Sequence, residues 1–330
     1  MLRRRFLGAL AASAWLRSAP AGVAATQSRD GAGRPLVAVR LDGRGPFRFL
    51  LDTAASTSAI SAFLARELRL PASDDAAPYA IAGSTGGGSA TRVQARELVA
   101  DAARVLRPSL AVLPESGGRD PGVDGVLGAD LLLGARARVV VSFADGQVMI
   151  VAGDAGRGPD AGSRDAAPRS GRPRDSSPRL LPLRLARELG PLIAVRAAFD
   201  RPARRGADAI AAILDTGAQR SVANAAVATL LGLRDAPSTE FVLRGAAGQA
   251  LAAREHDAPA LRLGTLALPA QPLLFADLPV FEAWGWRDQP AMLLGMDLLG
   301  RLSRLAVDYG RSPITVSIAG AATGANAPDR

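Results

Sequence analysis

Cysteine and lysine are absent from the 330-residue chain, and histidine occurs once, at His256. Without cysteine there is no disulfide, no thiol nucleophile and no thiolate-bound metal. One histidine is too few for a zinc site built from several His or Cys ligands, so neither a metal nor another cofactor is expected. Aromatic residues are scarce at 4%, while apolar residues reach 48%, so a core must be built from Ala, Val, Leu and Ile. The net charge of +9 is carried by arginine alone. These arginines are scattered among acids with no aromatic-basic motif, which argues against a nucleic-acid partner. Missing G-x-S-x-G, G-x-G-x-x-G and P-loop patterns argue against a serine hydrolase, a dinucleotide enzyme and an NTPase.

Long apolar runs are lacking too. Phe6 to Leu16 is the strongest, and its 11 residues fall short of the roughly 20 a membrane-spanning helix needs. Arg3, Arg4 and Arg5 precede this run and small residues follow it, so residues 1–25 read as an export signal with twin-arginine features. The expectation is an exported protein, in the bacterial periplasm, with no membrane span once the signal is removed.

What the chain does have is internal repetition. "PLVAVR" (35–40) returns as "PLIAVR" (191–196), and "FLLDTAAS" (49–56) returns as "AILDTGAQ" (212–219). "VLGADLL" (126–132) returns as "LLGMDLL" (293–299), and "VVVSFADGQVMI" (139–150) returns loosely as "LAVDYGRSPITV" (305–316). The four pairs keep their order and nearly their spacing: Asp52 to Gly128 is 76 residues and Asp215 to Gly295 is 80. Two homologous copies are therefore expected at 34–152 and 180–318. Residues 153–179 are rich in Gly, Pro, Ser and charge and read as a flexible linker, and 319–330 as a disordered tail.

Within a copy, two apolar runs flank Asp42-Gly43-Arg44-Gly45, which signals a hairpin. Ser61 to Leu70 has helical apolar spacing. Ile81 to Val93 reads as a glycine-rich hairpin tip. The loop Val280 to Pro290 carries Trp284 and Trp286, and either rims a cleft or shields one end of the fold. His256 has no counterpart in the first copy and reads as a surface residue. Asp130 and Asp297 follow a glycine turn, where an acid stabilises a helix N-terminus.

A single Asp-Thr-Gly is commonly only a turn. Here the same turn occurs twice, at Asp52 and Asp215. Copies of one unit tend to pack about a twofold axis, where equivalent elements meet. Two carboxylates brought together there cannot both ionise cheaply and share one proton. Such a pair can take a proton from water and give one to a peptide carbonyl, without histidine, cysteine or metal.

These motifs resemble the retropepsin-like aspartic peptidases, in a form with two repeats in one chain. The likeness rests on Asp52-Thr53-Ala54-Ala55-Ser56, Asp215-Thr216-Gly217-Ala218, Val126-Leu127-Gly128 and Leu293-Leu294-Gly295. It implies a mostly β, closed antiparallel, acid-protease-like fold with few short helices and two repeats about a pseudo-twofold axis. It further implies Asp52 and Asp215 as the catalytic dyad, supported by Thr53, Thr216, Ala54 and Gly217. Gly128 and Gly295 would pack beneath the aspartate loops. Gly-rich flaps would close over a polypeptide substrate at Gly83, Ser84 and Gly86, and at Gly245 and Gly248. With both copies in one chain, a monomer would be active. The rival reading is a catalytically inactive peptide-binding or scaffold protein, and Ala54 is the residue that favours it. The family has glycine there, and a positive φ would cost alanine about 1 kcal/mol. Ala55 and Ala218 replace the hydroxyl residue of pepsin-like enzymes, so a working pH closer to neutral is expected, above about pH 3.5.

Overall fold

The computed structural model describes residues 29–73, 79–83, 86–113, 122–152, 180–183, 185–189, 191–200, 209–245 and 249–320. The expected export signal, the linker 153–179 and the hairpin-tip residues Ser84 and Gly248 lie outside them. The expected tail boundary needs a small correction, because the strand Thr315–Ala319 includes Ala319.

The described chain is mostly β, with 25 strands and five short helices. Its first hairpin forms where the Asp-Gly signal stands. Leu36–Leu41 pairs with Arg44–Asp52 across a turn in which Asp42 and Gly43 have φ of 52° and 78°. Two successive positive φ values match the twist of the flanking strands. The helix expected from Ser61 covers Ala62–Leu68, and Ser61 Oγ accepts the Leu64 amide at 3.2 Å. Its equivalent, Ala225–Leu231, is capped by Asn224, which accepts the Val227 amide at 3.1 Å.

Strands assemble into sheets of eight, ten, five and two. The eight-stranded sheet belongs to the first copy and the ten-stranded sheet to the second. The closed antiparallel architecture expected from the sequence is not found among the described residues, where every sheet is open. The eight-stranded order, for example, runs from Arg92–Gln94 at one edge to Ala103–Leu106 at the other. The open faces are covered by packing, and one apolar cluster joins Phe49, Leu51 and Leu127 of the first copy to Leu214, Leu294 and Leu298 of the second.

Nor is the pairing wholly antiparallel. Gly125–Gly128 runs parallel to Arg44–Asp52, with Gly128 opposite Asp52. Ala291–Leu294 likewise runs parallel to Ile210–Leu214. The hydrophobic-Gly strand of each copy thus comes alongside the strand that leads to its aspartate.

The five-stranded sheet joins the copies. Ala137–Ser142 pairs antiparallel with Arg304–Asp308, placing Arg138 opposite Asp308 and Ser142 opposite Arg304. Under the repeat alignment, Arg138 is equivalent to Arg304 and Ser142 to Asp308. Arg138 thus faces the equivalent of Ser142, and Ser142 the equivalent of Arg138.

Candidate active site

Each aspartate stands where an inner strand ends. The apolar residues ahead of it set this up locally. Phe49, Leu50 and Leu51 are buried ahead of Asp52, as are Ile213 and Leu214 ahead of Asp215. The apolar run is drawn into the core and its acid goes with it. Asp215 is only 7% exposed, whereas Asp52 is partly buried.

The turn after each acid holds one of its oxygens. Asp52 Oδ1 accepts the amides of Ala54 and Ala55, both at 2.9 Å. Asp215 Oδ1 accepts those of Gly217 at 3.0 Å and Ala218 at 2.8 Å. The two loops then grip each other. The Thr53 amide donates to Thr216 Oγ1 and the Thr216 amide to Thr53 Oγ1, both at 3.2 Å. Thr53 Oγ1 donates to the Leu214 carbonyl at 2.5 Å, and Thr216 Oγ1 to the Leu51 carbonyl at 2.6 Å. Each hydroxyl is therefore tied to the strand carrying the opposite aspartate.

The loops sit close enough for one acid to press on the other turn. A Cβ placed on Gly217 would lie 2.3 Å from Asp52 Oδ2. Burial raises the pKa of Asp52, although its two amide bonds and Arg34 oppose this. Burial and then the charge of Asp52 push Asp215 well above the ordinary aspartate range. Desolvation and like-charge repulsion are the conditions under which two carboxyls keep a proton between them.

Sequence reasoning missed the layer beneath. Ser58 donates its hydroxyl to Asp130 Oδ1 at 2.6 Å, and accepts the Gly128 amide at 2.9 Å. In the second copy, Ser221 donates to Asp297 Oδ1 at 2.5 Å and accepts the Gly295 amide at 2.9 Å. Asp130 and Asp297 thus tie the aspartate loops to the glycine turns, which goes beyond the helix-end role expected of them. The signal was present in the repeat, since Ser58 and Ser221 each follow their aspartate by six positions. Gly128 and Gly295 pack under the loops. A Cβ on Gly128 would meet the Ala55 carbonyl at 2.8 Å, and one on Gly295 the Arg220 carbonyl carbon at 2.6 Å.

Ser221 is fully buried. Ser221→Ala takes away the acceptor of the Gly295 amide and one of the three donors on Asp297 Oδ1, and is expected to lower unfolding free energy by about 1–3 kcal/mol. The denaturant midpoint measures this.

Ala54 is not among the residues with positive φ, so the left-handed strain weighed against it is absent. Its methyl packs on an apolar cluster containing Ile213, Val222 and Trp286. The hairpin glycines stand apart from the dyad network. Gly83 pairs with Gly86 in a separate two-stranded sheet. The Gly245 amide donates to the Gln249 carbonyl at 2.9 Å, at the end of a hairpin within the ten-stranded sheet. Helix Pro279–Ala283, from the tryptophan-bearing loop, packs against the first hairpin strand, Tyr79–Gly83. Trp286 is buried at 2% exposure. His256 corrects its expectation as a surface residue. It is buried, Nδ1 lies 3.0 Å from the Pro237 carbonyl, and its ring meets Phe275 edge-on.

A family model described as aspartyl protease matches residues 37–131 and again residues 204–298, together more than half of the chain. The chain belongs to the aspartyl protease family. Each match contains one aspartate, its threonine and its hydrophobic-Gly motif, so this family member carries the family unit twice. Membership implies a polypeptide substrate. No curated protein matches the chain. Among the described residues, no helix is long and apolar enough to cross a membrane.

Proposed function

We propose that the chain is an aspartic endopeptidase in which Asp52 and Asp215 form a single dyad between two copies related by a local twofold axis. The observation that carries this reading is the reciprocal threonine grip, which ties each aspartate strand to the hydroxyl after the opposite aspartate. The self-complementary register of the five-stranded sheet supports the same relation.

In this reading Asp215, the more deeply buried acid, holds the shared proton, and Asp52 is ionised. Water bound between them gives a proton to Asp52 as its oxygen attacks the peptide carbonyl carbon. Asp215 gives its proton to the carbonyl oxygen, which yields a tetrahedral diol. Collapse returns a diol proton to Asp215, while Asp52 passes its proton to the departing nitrogen. One peptide bond and one water are consumed, an amine and an acid appear, and the dyad is restored. No covalent enzyme intermediate forms.

The rival reading, an inactive peptide-binding protein, drew on Ala54. Its backbone is free of positive-φ strain and its methyl has an apolar seat. That removes the support this residue lent to inactivity. The hairpins at Gly83 to Gly86 and Gly245 fit the role of flaps over a bound peptide. Both copies lie in one chain, so a monomer holds a whole dyad. The leader composition supports export, and the periplasm is the proposed compartment.

Incubation with a denatured-protein peptide library, sampled across pH, tests the reading. Internal cleavage is expected, with a rate optimum above about pH 3.5, because burial raises both acids and no hydroxyl donor stands at Ala55 or Ala218. An optimum below that value would contradict the pH argument. Wild-type protein that cleaves nothing at any pH would restore the scaffold reading.

A further inference from the structure

The dyad is asymmetric in one respect that the repeats do not explain. Arg34 lies just ahead of the first matched segment, and the equivalent residue ahead of Pro191 is Gly190. At this aligned position one copy has a cation and the other does not.

The arginine is held with unusual care for a residue outside the matched unit. Arg29 to Pro35 forms a tight turn closed by the Asp30 amide on the Arg34 carbonyl at 3.1 Å. Asp30 Oδ1 accepts the amides of Ala32 at 2.9 Å and Arg34 at 2.8 Å. Asp30 Oδ2 takes Arg34 Nε at 2.6 Å and Nη2 at 2.5 Å. This two-point pairing fixes the plane of the guanidinium. The remaining terminal nitrogen, Nη1, donates to the Gly217 carbonyl at 3.2 Å, across the boundary between the copies. Gly217 is the residue against which the Asp52 carboxylate rests. The next carbonyl along, that of Pro35, accepts the Leu51 amide at 2.9 Å, which anchors the turn to the Asp52 strand.

We propose that Arg34 is a positioning residue of the dyad: it holds the Gly217 turn against Asp52 and supplies the positive charge that lets the buried pair carry its negative one. The proposal rests on the dyad reading above. Its physical basis is that an acid pair taken out of water loses the solvation of its anion. Two amides on each acid replace part of that loss. The hydroxyl donors available to pepsin-like enzymes are replaced by Ala55 and Ala218. A largely buried cation is poorly screened by salt and acts on both acids at once. Burial raises both acids, and the attraction of Arg34, after the amides of each turn, opposes that rise at Asp52 and at Asp215 alike.

Asp30 neutralises part of the guanidinium charge from its far side. Tyr309 is buried, and the charges of Asp52 and Asp130 help hold its phenol un-ionised. Asp130 is engaged by Ser58.

Carbon-13 NMR titration of the Asp52 and Asp215 carboxyl carbons provides the test, with Asp52→Asn and Asp215→Asn supplying the assignments. Wild type is compared with Arg34→Met, Arg34→Gln and Arg34→Lys, and kcat/KM is followed over the same pH range. Arg34→Gln keeps an N–H for the Gly217 carbonyl and serves if Arg34→Met does not fold. Loss of the cation disfavours the ionised pair, so the titration and the acidic limb of kcat/KM should both move upward by about one pH unit. Arg34→Lys should bring the limb back towards wild type. A folded, uncharged variant whose dyad titrates as wild type does would overturn the proposal, as would a fall in kcat with no movement of either limb. If wild type cleaves nothing, the NMR titration still decides: a moved dyad sustains the role of Arg34 while the protease reading fails.

Discussion

Asp215→Asn and Asp52→Asn are each expected to cut kcat/KM for peptide cleavage by about 10⁴-fold, the upper end of what acid–base catalysis contributes. The upper end applies because each carboxyl acts twice, once in forming the diol and once in its collapse. An amide can neither accept the water proton nor return one. The Asp215 substitution should also stabilise the fold near neutral pH. Asp215 has a native pKa well above its ordinary value, owing to burial and to repulsion from Asp52. Its unfolded value is near 3.9. Between those two values the native state holds more protons than the unfolded state, so stability falls as pH rises through that window. An uncharged amide escapes this loss, while its oxygen can still accept the Gly217 and Ala218 amides. Calorimetric melting should therefore find Asp215→Asn above wild type near neutral pH, with the gap closing towards about pH 4. Retained cleavage in either variant would remove that aspartate from the chemistry. A melting gap that is absent near neutral pH would mean that Asp215 is not held in a desolvated, repelled state.

The meeting of the two aspartate turns was legible because the turn is written twice. Asp52-Thr53 and Asp215-Thr216 stand in similar sequence surroundings, and aligning the copies predicts that their turns meet. Ser58 and Ser221 were equally available in that alignment. They were missed because a serine six residues from an acid has no meaning until Asp130 or Asp297 arrives from some 70 residues away. The sheet architecture was harder. Alternating apolar residues identify a strand but not its neighbour, and here the decisive neighbours are parallel, Gly125–Gly128 beside Arg44–Asp52. Those contacts are between segments far apart in the chain, so local pattern could not reveal that the sheets stay open. His256 illustrates the opposite error. A histidine with no counterpart in the first copy reads as exposed, yet in the strand Ala250–Ala258 it shares the inward face with Ala258 and finds Phe275 and the Pro237 carbonyl there. Arg34 had no repeat partner to mark it, and its importance comes only from the fold of the opposite copy.

Gly217→Ala is expected to be far more damaging than its mirror change, Ala54→Gly, although the two positions are equivalent in the repeat. The reason is space, not backbone freedom, because Gly217 does not have a φ in the left-handed region. A methyl there would lie 2.3 Å from Asp52 Oδ2 and 2.4 Å from its Cγ, so one of the two must move. Asp52 has little room to yield, since its Oδ1 is fixed by the Ala54 and Ala55 amides. The Gly217 side is no freer. Its amide serves Asp215 and its carbonyl accepts from Arg34. A displacement on the order of 1 Å between reacting groups costs roughly 10²-fold, so kcat/KM should fall by at least about that factor. Ala54 has its methyl on the apolar cluster around Ile213 and Trp286. Removing it loses a little packing and adds chain entropy to the unfolded state, a cost of about 0.5–1 kcal/mol in stability with the chemistry nearly intact. Melting temperatures and kcat/KM measured on both variants separate the two effects. Equal losses of kcat/KM in the two variants, or wild-type turnover in Gly217→Ala, would show that Asp52 is not confined by the opposite turn, and the tight contact between the copies would have to be abandoned as the source of the dyad's geometry.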